Sequence, residues 1–178
     1  MTVKEFLDYL SQELNRSPRT VISYAEDLYA FEAYFLDKDE GLTWETIDTD
    51  IIRDWMESMV DKGNSPSSVA RRLSAVKGFF KFALAREFIS SDPAHAIRSP
   101  KRSRPLPQFL KENEINDLLD KQAWGDDFKG LRDRLIIMMF YETGVRLAEL
   151  VGMDDEAVNL AGQFIKVTGK GDKQRVIP

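Results

Sequence analysis

Nine consecutive residues, Ser99-Pro100-Lys101-Arg102-Ser103-Arg104-Pro105-Leu106-Pro107, decide how this chain can be built. Each of the three prolines lacks a backbone donor and has a fixed φ, so the stretch continues neither a helix nor a central strand. It reads as an extended linker over 99–108, between a first domain at 1–98 and a second at 109–178. A chain of 178 residues is long enough for two small domains.

The first domain carries helix signals throughout. Thr2-Val3-Lys4-Glu5 is a capping box, and a helix is expected from it to about Leu14. Ser17-Pro18 restarts a helix, serine as N-cap and proline in the first turn, with Val21, Tyr24, Leu28, Phe31 and Phe35 as its apolar stripe. Asp48 caps a third helix that Gly63 closes, and Ser65-Pro66 starts a fourth running to about Phe88. Four helices with short connections make a compact all-α unit.

Beyond the linker the spacing predicts helices at about 111–121 and 127–142, the second with a buried run from Leu135 to Phe140. A short helix follows from near Arg146. Phe164–Thr168 and Gln174–Ile177 then form a β-hairpin around Gly169-Lys170-Gly171-Asp172. The fold class is mainly α, with a mixed α/β second part.

Composition removes several kinds of chemistry. There is no cysteine, hence no disulfide scaffold, zinc-thiolate site or thiol nucleophile. A single histidine, His95, cannot build a multi-histidine metal site, and it reads as a loop or helix-start residue. No apolar run approaches the roughly 20 residues of a membrane span and no secretory leader opens the chain, so the expected location is the cytoplasm.

The net charge of −5 hides a segregation. Residues 1–61 hold 5 basic and 15 acidic side chains, while residues 62–104 hold 10 and 2. Residues 105–161 hold 6 and 12, and residues 162–178 hold 4 and 1. Because charges are screened within about 8 Å at physiological salt, local sign matters more than the total. Two basic islands in an acidic chain point to a polyanion met at defined places.

On the helix over 67–88, Val69, Leu73, Val76, Phe80 and Leu84 share one face. Ser67, Arg71, Ser74, Gly78 and Lys81 share the opposite one. The second face is small, polar and cationic, and a phosphate backbone could approach it closely. A solvated helix face has the same pattern. The linker residues Lys101, Arg102 and Arg104 lie next in the chain and add to the DNA reading.

Arg146 stands at the opening of the short helix, where backbone N–H groups also meet a bound anion. Glu149, three residues on, shares its face and can hold the guanidinium. A fixed fork of donors suits a phosphate in a five-coordinate transition state, although an ordinary surface pair has the same spacing. Lys170, between two glycines at the hairpin tip with Lys173 and Arg175 beside it, could enter a groove and protonate a leaving oxygen. A plain turn has the same composition. No G-x-x-x-x-G-K-[ST] nucleotide loop occurs.

These motifs, in this order, resemble the tyrosine recombinase (phage integrase) family, especially its bacterial Xer-like branch. Ser17-Pro18-Arg19-Thr20-Val21 with Tyr24 and Asp27-Leu28 resembles the first DNA-proximal helix. Ala70-Arg71-Arg72-Leu73-Ser74-Ala75-Val76-Lys77 with Phe79-Phe80 resembles the core-binding helix. Asp92-Pro93-Ala94 and Leu106-Pro107-Gln108-Phe109-Leu110 resemble the approaches to the linker and the catalytic domain. Thr143-Gly144-Val145-Arg146 with Glu149-Leu150, then Gly169-Lys170-Gly171 with Lys173, Arg175 and Pro178, are the most specific matches.

The resemblance implies a four-helix SAM-like core-binding domain, a linker, and the N-terminal portion of a mixed α/β catalytic domain, closing as a clamp on duplex DNA. It implies a tyrosine attacking a phosphodiester to give a 3′-phosphotyrosyl bond, with no metal and no cofactor, and other recombinase protomers as partners. Arg146 would be a catalytic arginine, Glu149 its support and Lys170 the proton donor. Arg19, Thr20, Tyr24, Ser67, Arg71, Arg72, Ser74, Lys77, Lys81, Lys101, Arg102, Arg104, Lys173 and Arg175 would bind DNA.

The family also requires a His-x-x-Arg pair and a nucleophilic tyrosine after the hairpin, whereas the last tyrosine here is Tyr141. The expectation is therefore a DNA-binding recombinase fragment, inactive alone and prone to self-association through apolar surface in its second part. Two other readings remain open. One is a natural truncated, non-catalytic DNA-binding regulator of recombination. The other is a helical protein-interaction module whose acidic first 61 residues bind a basic partner.

Overall fold

The computed structural model describes residues 1–101, 106, 108–121, 124–169 and 171–178. The chain divides into two compact units, Met1–Pro105 and Leu106–Pro178.

In the first unit, α1 (Val3–Asp8) is closed by the expected box: Glu5 Oε2 accepts from the Thr2 backbone at 2.7 Å, and Thr2 Oγ1 accepts from the Glu5 backbone at 3.3 Å. The α-helix gives way to a π-turn over Tyr9–Glu13, where an unbroken helix to Leu14 was expected. α2 (Pro18–Lys38), α3 (Thr49–Asp61) and α4 (Pro66–Ala85) begin at the three expected caps, Ser17, Asp48 and Ser65. Each cap side chain accepts a first-turn N–H that the helix itself leaves unpaired. α4 stops three residues before Phe88, because Glu87 takes a left-handed backbone (φ 59°) and the Phe88 N–H turns back to the Ala83 carbonyl at 2.9 Å.

An aromatic core joins these helices. Trp44 lies 4.3 Å from Phe79 and 5.2 Å from Phe35, centroid to centroid, and Phe6 lies 5.6 Å from Phe79. The one polar atom of Trp44 donates to Glu32 Oε1 at 2.7 Å, so burying the indole leaves no donor orphaned. Each buried phenylalanine contributes roughly 1.5–3 kcal/mol of apolar transfer. Two residues of α4 depart from the expected faces. Gly78 packs inward, where a Cβ would stand 3.3 Å from Phe6, and Leu84 is exposed. At 100° per residue Gly78 lies opposite the Val69–Phe80 stripe, but Ala75, Phe79 and Phe82 are buried as well and widen the covered arc toward it, whereas Leu84 stands in the last turn, where the cover ends.

The turn after α4 belongs to this unit. Ala94 and Ile97 are buried, Thr49 Oγ1 donates to the Pro93 carbonyl at 2.8 Å, and Lys77 Nζ donates to the Ile97 carbonyl at 2.5 Å. His95 is exposed on that turn.

The second unit contains α5 (Glu112–Lys121), α6 (Phe128–Thr143) and α7 (Leu147–Val151). A three-stranded antiparallel sheet follows, in the order β1 (Val158–Asn159), β2 (Phe164–Thr168), β3 (Gln174–Ile177). The hairpin strands have the expected bounds, with Val167 opposite Arg175. β1 pairs Val158 with Ile165 and was not expected, since two residues carry no readable alternation. Gly144, left-handed at φ 61°, ends α6 and turns the chain into α7. The expected burial of Leu135–Phe140 is corrected: no residue of α6 is buried and Leu135 is 57% exposed. An apolar run records what a helix can bury, and among the described residues too little packs on α6 to cover it. No described helix is long and apolar enough to cross a membrane.

Candidate active site and nucleic-acid interface

The start of α7 and the β2–β3 hairpin meet at one carboxylate. Arg146 is the N-cap of α7, and Glu149 lies one turn in with its side chain only 3% exposed. Glu149 Oε1 accepts from Arg146 Nη1 and from Arg175 Nη1, both at 2.8 Å. Glu149 Oε2 accepts from the Arg146 backbone N–H at 2.9 Å and from Arg175 Nη2 at 2.8 Å. The Arg175 fork, then the Arg146 backbone N–H, hold the Glu149 carboxyl down to about 2. Glu149 in turn raises Arg175 further above its ordinary value.

The expected Arg146–Glu149 pair is therefore present, and it is half of a larger cluster. Arg146 commits one guanidinium nitrogen to Glu149 while its side chain stays 74% exposed. Arg175, expected to face DNA, instead directs both terminal nitrogens at Glu149. At the hairpin, Gly169 N–H donates to the Lys173 carbonyl at 2.7 Å, and the turn passes through positive φ at Gly171 and Asp172. Lys173 is exposed. Lys170, Arg102 and Arg104 lie outside the described residues.

On α4, Ser67, Arg71, Ser74 and Lys81 are exposed as expected. Two of them also make contacts within the unit. Ser74 Oγ donates to the Ala70 carbonyl at 2.8 Å. Arg71 grips Asp27 of α2 with both terminal nitrogens, one of them at 2.9 Å; the Asp27 side chain is 4% exposed and that of Arg71 51%. Arg72 is half-buried beside the same carboxylate, its Nε 3.7 Å from Asp27 Oδ1 and its Nη1 3.5 Å from Met59 Sδ. Lys77 is tied to Ile97, as described above. On α2, Arg19 is exposed, Thr20 Oγ1 lies 2.9 Å from Ser17 Oγ, and the Tyr24 ring stacks 6.3 Å from Phe6. Lys101 is exposed.

Asp27 is the residue whose role sequence reasoning missed. A carboxylate one position before Leu28, at the edge of an apolar stripe, is the visible signal, because such a group is buried only when a cation meets it. Among the described residues there is no group of three or more histidine, aspartate or glutamate side chains that could hold a metal ion.

Residues 3–87 match the phage integrase N-terminal SAM-like domain, and residues 108–178 match the phage integrase family. The chain is 38% identical over 174 residues to tyrosine recombinase XerC of Natranaerobius thermophilus, covering 98% of this chain and 58% of that protein. To tyrosine recombinase XerD of Staphylococcus haemolyticus it is 34% identical over 176 residues, covering 99% and 59%. It thus spans less than two thirds of the length of these relatives. In fold it is similar to a lambda integrase dimer bound to a COC′ core site (TM-score 0.68, 21% identity, 100% of this chain and 49% of that one). It is likewise similar to the Tn1549 transposon integrase in complex with circular intermediate DNA (TM-score 0.69, 18% identity, 100% and 60%).

Proposed function

The chain belongs to the phage integrase family of tyrosine recombinases, and from that membership we propose that it holds duplex DNA and contributes phosphate-binding groups to a strand-transfer site. One observation carries the reading. Arg146 is anchored at one guanidinium nitrogen and by its backbone, yet its side chain is three-quarters exposed. An anchored but open arginine keeps donors for a second anion and loses little rotational freedom on binding it.

In this reading Arg146 balances charge on the non-bridging oxygens of the scissile phosphate, and Lys170 gives a proton to the leaving oxygen. Ser67, Lys81, Arg19 and Lys101 hold the flanking backbone together with Arg102 and Arg104. Arg71 adds the donors that Asp27 leaves unused. The nucleophilic tyrosine of the family mechanism follows the hairpin, and no tyrosine among residues 1–178 is assigned that role. Other protomers on the same DNA and a cytoplasmic location belong to the same proposal. One solved structure of similar fold is a lambda integrase tetramer bound to a Holliday junction.

Titrating a labelled duplex with the chain at several salt concentrations tests the reading. The expected result is binding whose logarithm falls linearly with the logarithm of salt, with a slope of about −0.9 per phosphate neutralised. Absence of salt-sensitive duplex binding would overturn it.

A further inference from the structure

We infer that Arg175 is a positioning residue for Arg146, acting through Glu149, and is not itself a phosphate ligand. The inference rests on the reading of Arg146 as a phosphate-binding arginine and adds what keeps it in that state.

The same carboxylate holds two arginines in different ways. Both terminal nitrogens of Arg175 lie 2.8 Å from the two oxygens of Glu149, a closed bidentate pair. Arg146 gives Glu149 one nitrogen of its side chain, and its backbone N–H supplies the other contact. A carboxylate has about four acceptor positions, and these four bonds fill them. The fork of Arg175 is thus closed on Glu149, while most of the Arg146 fork is open.

Charge completes the argument. With Arg146 alone, Glu149 would form a neutral pair, and the arginine would offer a phosphate little net attraction. Arg175 supplies a second positive charge, so the three groups together carry about +1, centred beside the exposed guanidinium. The strong depression of the Glu149 carboxyl is consistent with a carboxylate outnumbered by cations. Arg175 also locks the carboxylate in place from the strand side. It stands on β3 opposite Val167, and Gly169 at the end of β2 lies against Glu149 Oε1. The Arg146 rotamer is therefore set by the hairpin as well as by α7.

A double-mutant cycle on the 178-residue chain tests this with R146Q, R175Q, the double variant and R175K. Fluorescence anisotropy with a labelled duplex gives affinity, and NMR follows the Arg146 guanidinium and the Glu149 carboxyl. R175Q is expected to weaken duplex binding about tenfold, close to the loss in R146Q. The double variant should bind no more weakly than R146Q, because Arg175 acts only through Arg146. R175K, which keeps the charge and loses the fork, should recover part of the affinity. Losses that multiply in the double variant would make Arg175 a direct ligand and overturn the inference. So would a lower melting temperature with unchanged affinity. If the wild-type chain binds no duplex, the functional reading fails and the NMR arm still decides. Movement of the Arg146 guanidinium signal in R175K, with a Glu149 midpoint raised from about 2, supports the positioning role. An unmoved Arg146 signal refutes it.

Discussion

A Cβ placed on Gly169 would stand 2.9 Å from Glu149 Oε1, closer than real Cβ contacts come. Gly169→Ala should therefore push the carboxylate off the two arginines and cost about 1–3 kcal/mol through overpacking. The loss should be confined to the second unit. Hydrogen exchange resolved by segment checks it: protection should fall in α7 and the hairpin and stay unchanged over α2 and α4.

The Asp27–Arg71 pair predicts an order of effects. Among the described residues, removing Arg71 leaves the buried carboxylate with the Arg72 Nε, 3.7 Å away, as its one remaining cation. Removing Asp27 releases a half-exposed arginine to water. Arg71→Ala should destabilise the first unit by roughly 2–3 kcal/mol and Asp27→Ala by about 1 kcal/mol. The double variant should lie near Asp27→Ala. Urea unfolding measures all three, and equal losses in the single variants would contradict the assignment.

Lys81 and Arg71 share the exposed face of α4 but should separate in their readouts. Lys81→Gln should weaken binding to every duplex, lower the salt slope by about one unit and leave stability unchanged. Arg71→Gln should alter both binding and stability. Anisotropy across a salt series, paired with melting curves, distinguishes them.

Acid should weaken the second unit. The Glu149 carboxyl is depressed from 4.5 to about 2 in the folded chain. The unfolded state therefore binds its proton first as pH falls, and the stability this group contributes is complete above about 4.5 and lost progressively toward 2. Glu149→Gln should flatten that part of the pH profile. The check is the melting temperature of the second unit between pH 6 and 2.5 in both proteins.

Phe128, Leu131, Leu135 and Met138 form one exposed stripe along α6, spaced by three or four residues. A contiguous apolar stripe of this kind associates with itself. Light scattering should show the mean mass of the 178-residue chain rising with concentration, and Leu131→Lys should suppress the rise. Mass independent of concentration in the wild-type chain would count against it.

The first unit was the more legible in sequence, for local reasons. Ser17, Asp48 and Ser65 act within one helical turn, so spacing alone places their helices. The Gly169–Asp172 turn likewise sets the hairpin. What sequence reasoning missed depends on partners far along the chain. Arg71 and Asp27 are 44 residues apart and Arg175 and Glu149 are 26 apart, and no periodicity links them. A basic face therefore read as five equivalent positions, although one is a packed glycine and another is paired with a buried acid. α6 failed in the opposite direction, since its composition states a capacity for burial and not the neighbours that would use it.

The position of Arg175 on β3 places an arithmetic condition on the turn. Along β3 exposure alternates, Gln174 and Val176 outward, Arg175 and Ile177 half-buried, in step with Val167 on β2. One residue added to or removed from Gly169–Lys173 would send the Arg175 side chain to the opposite face of the sheet. A change of two would keep the face but move it about 7 Å along the strand, out of reach of Glu149. Loops usually tolerate changes of length, but in this one both the parity and the count of its residues decide whether Arg146 has a second cation behind it.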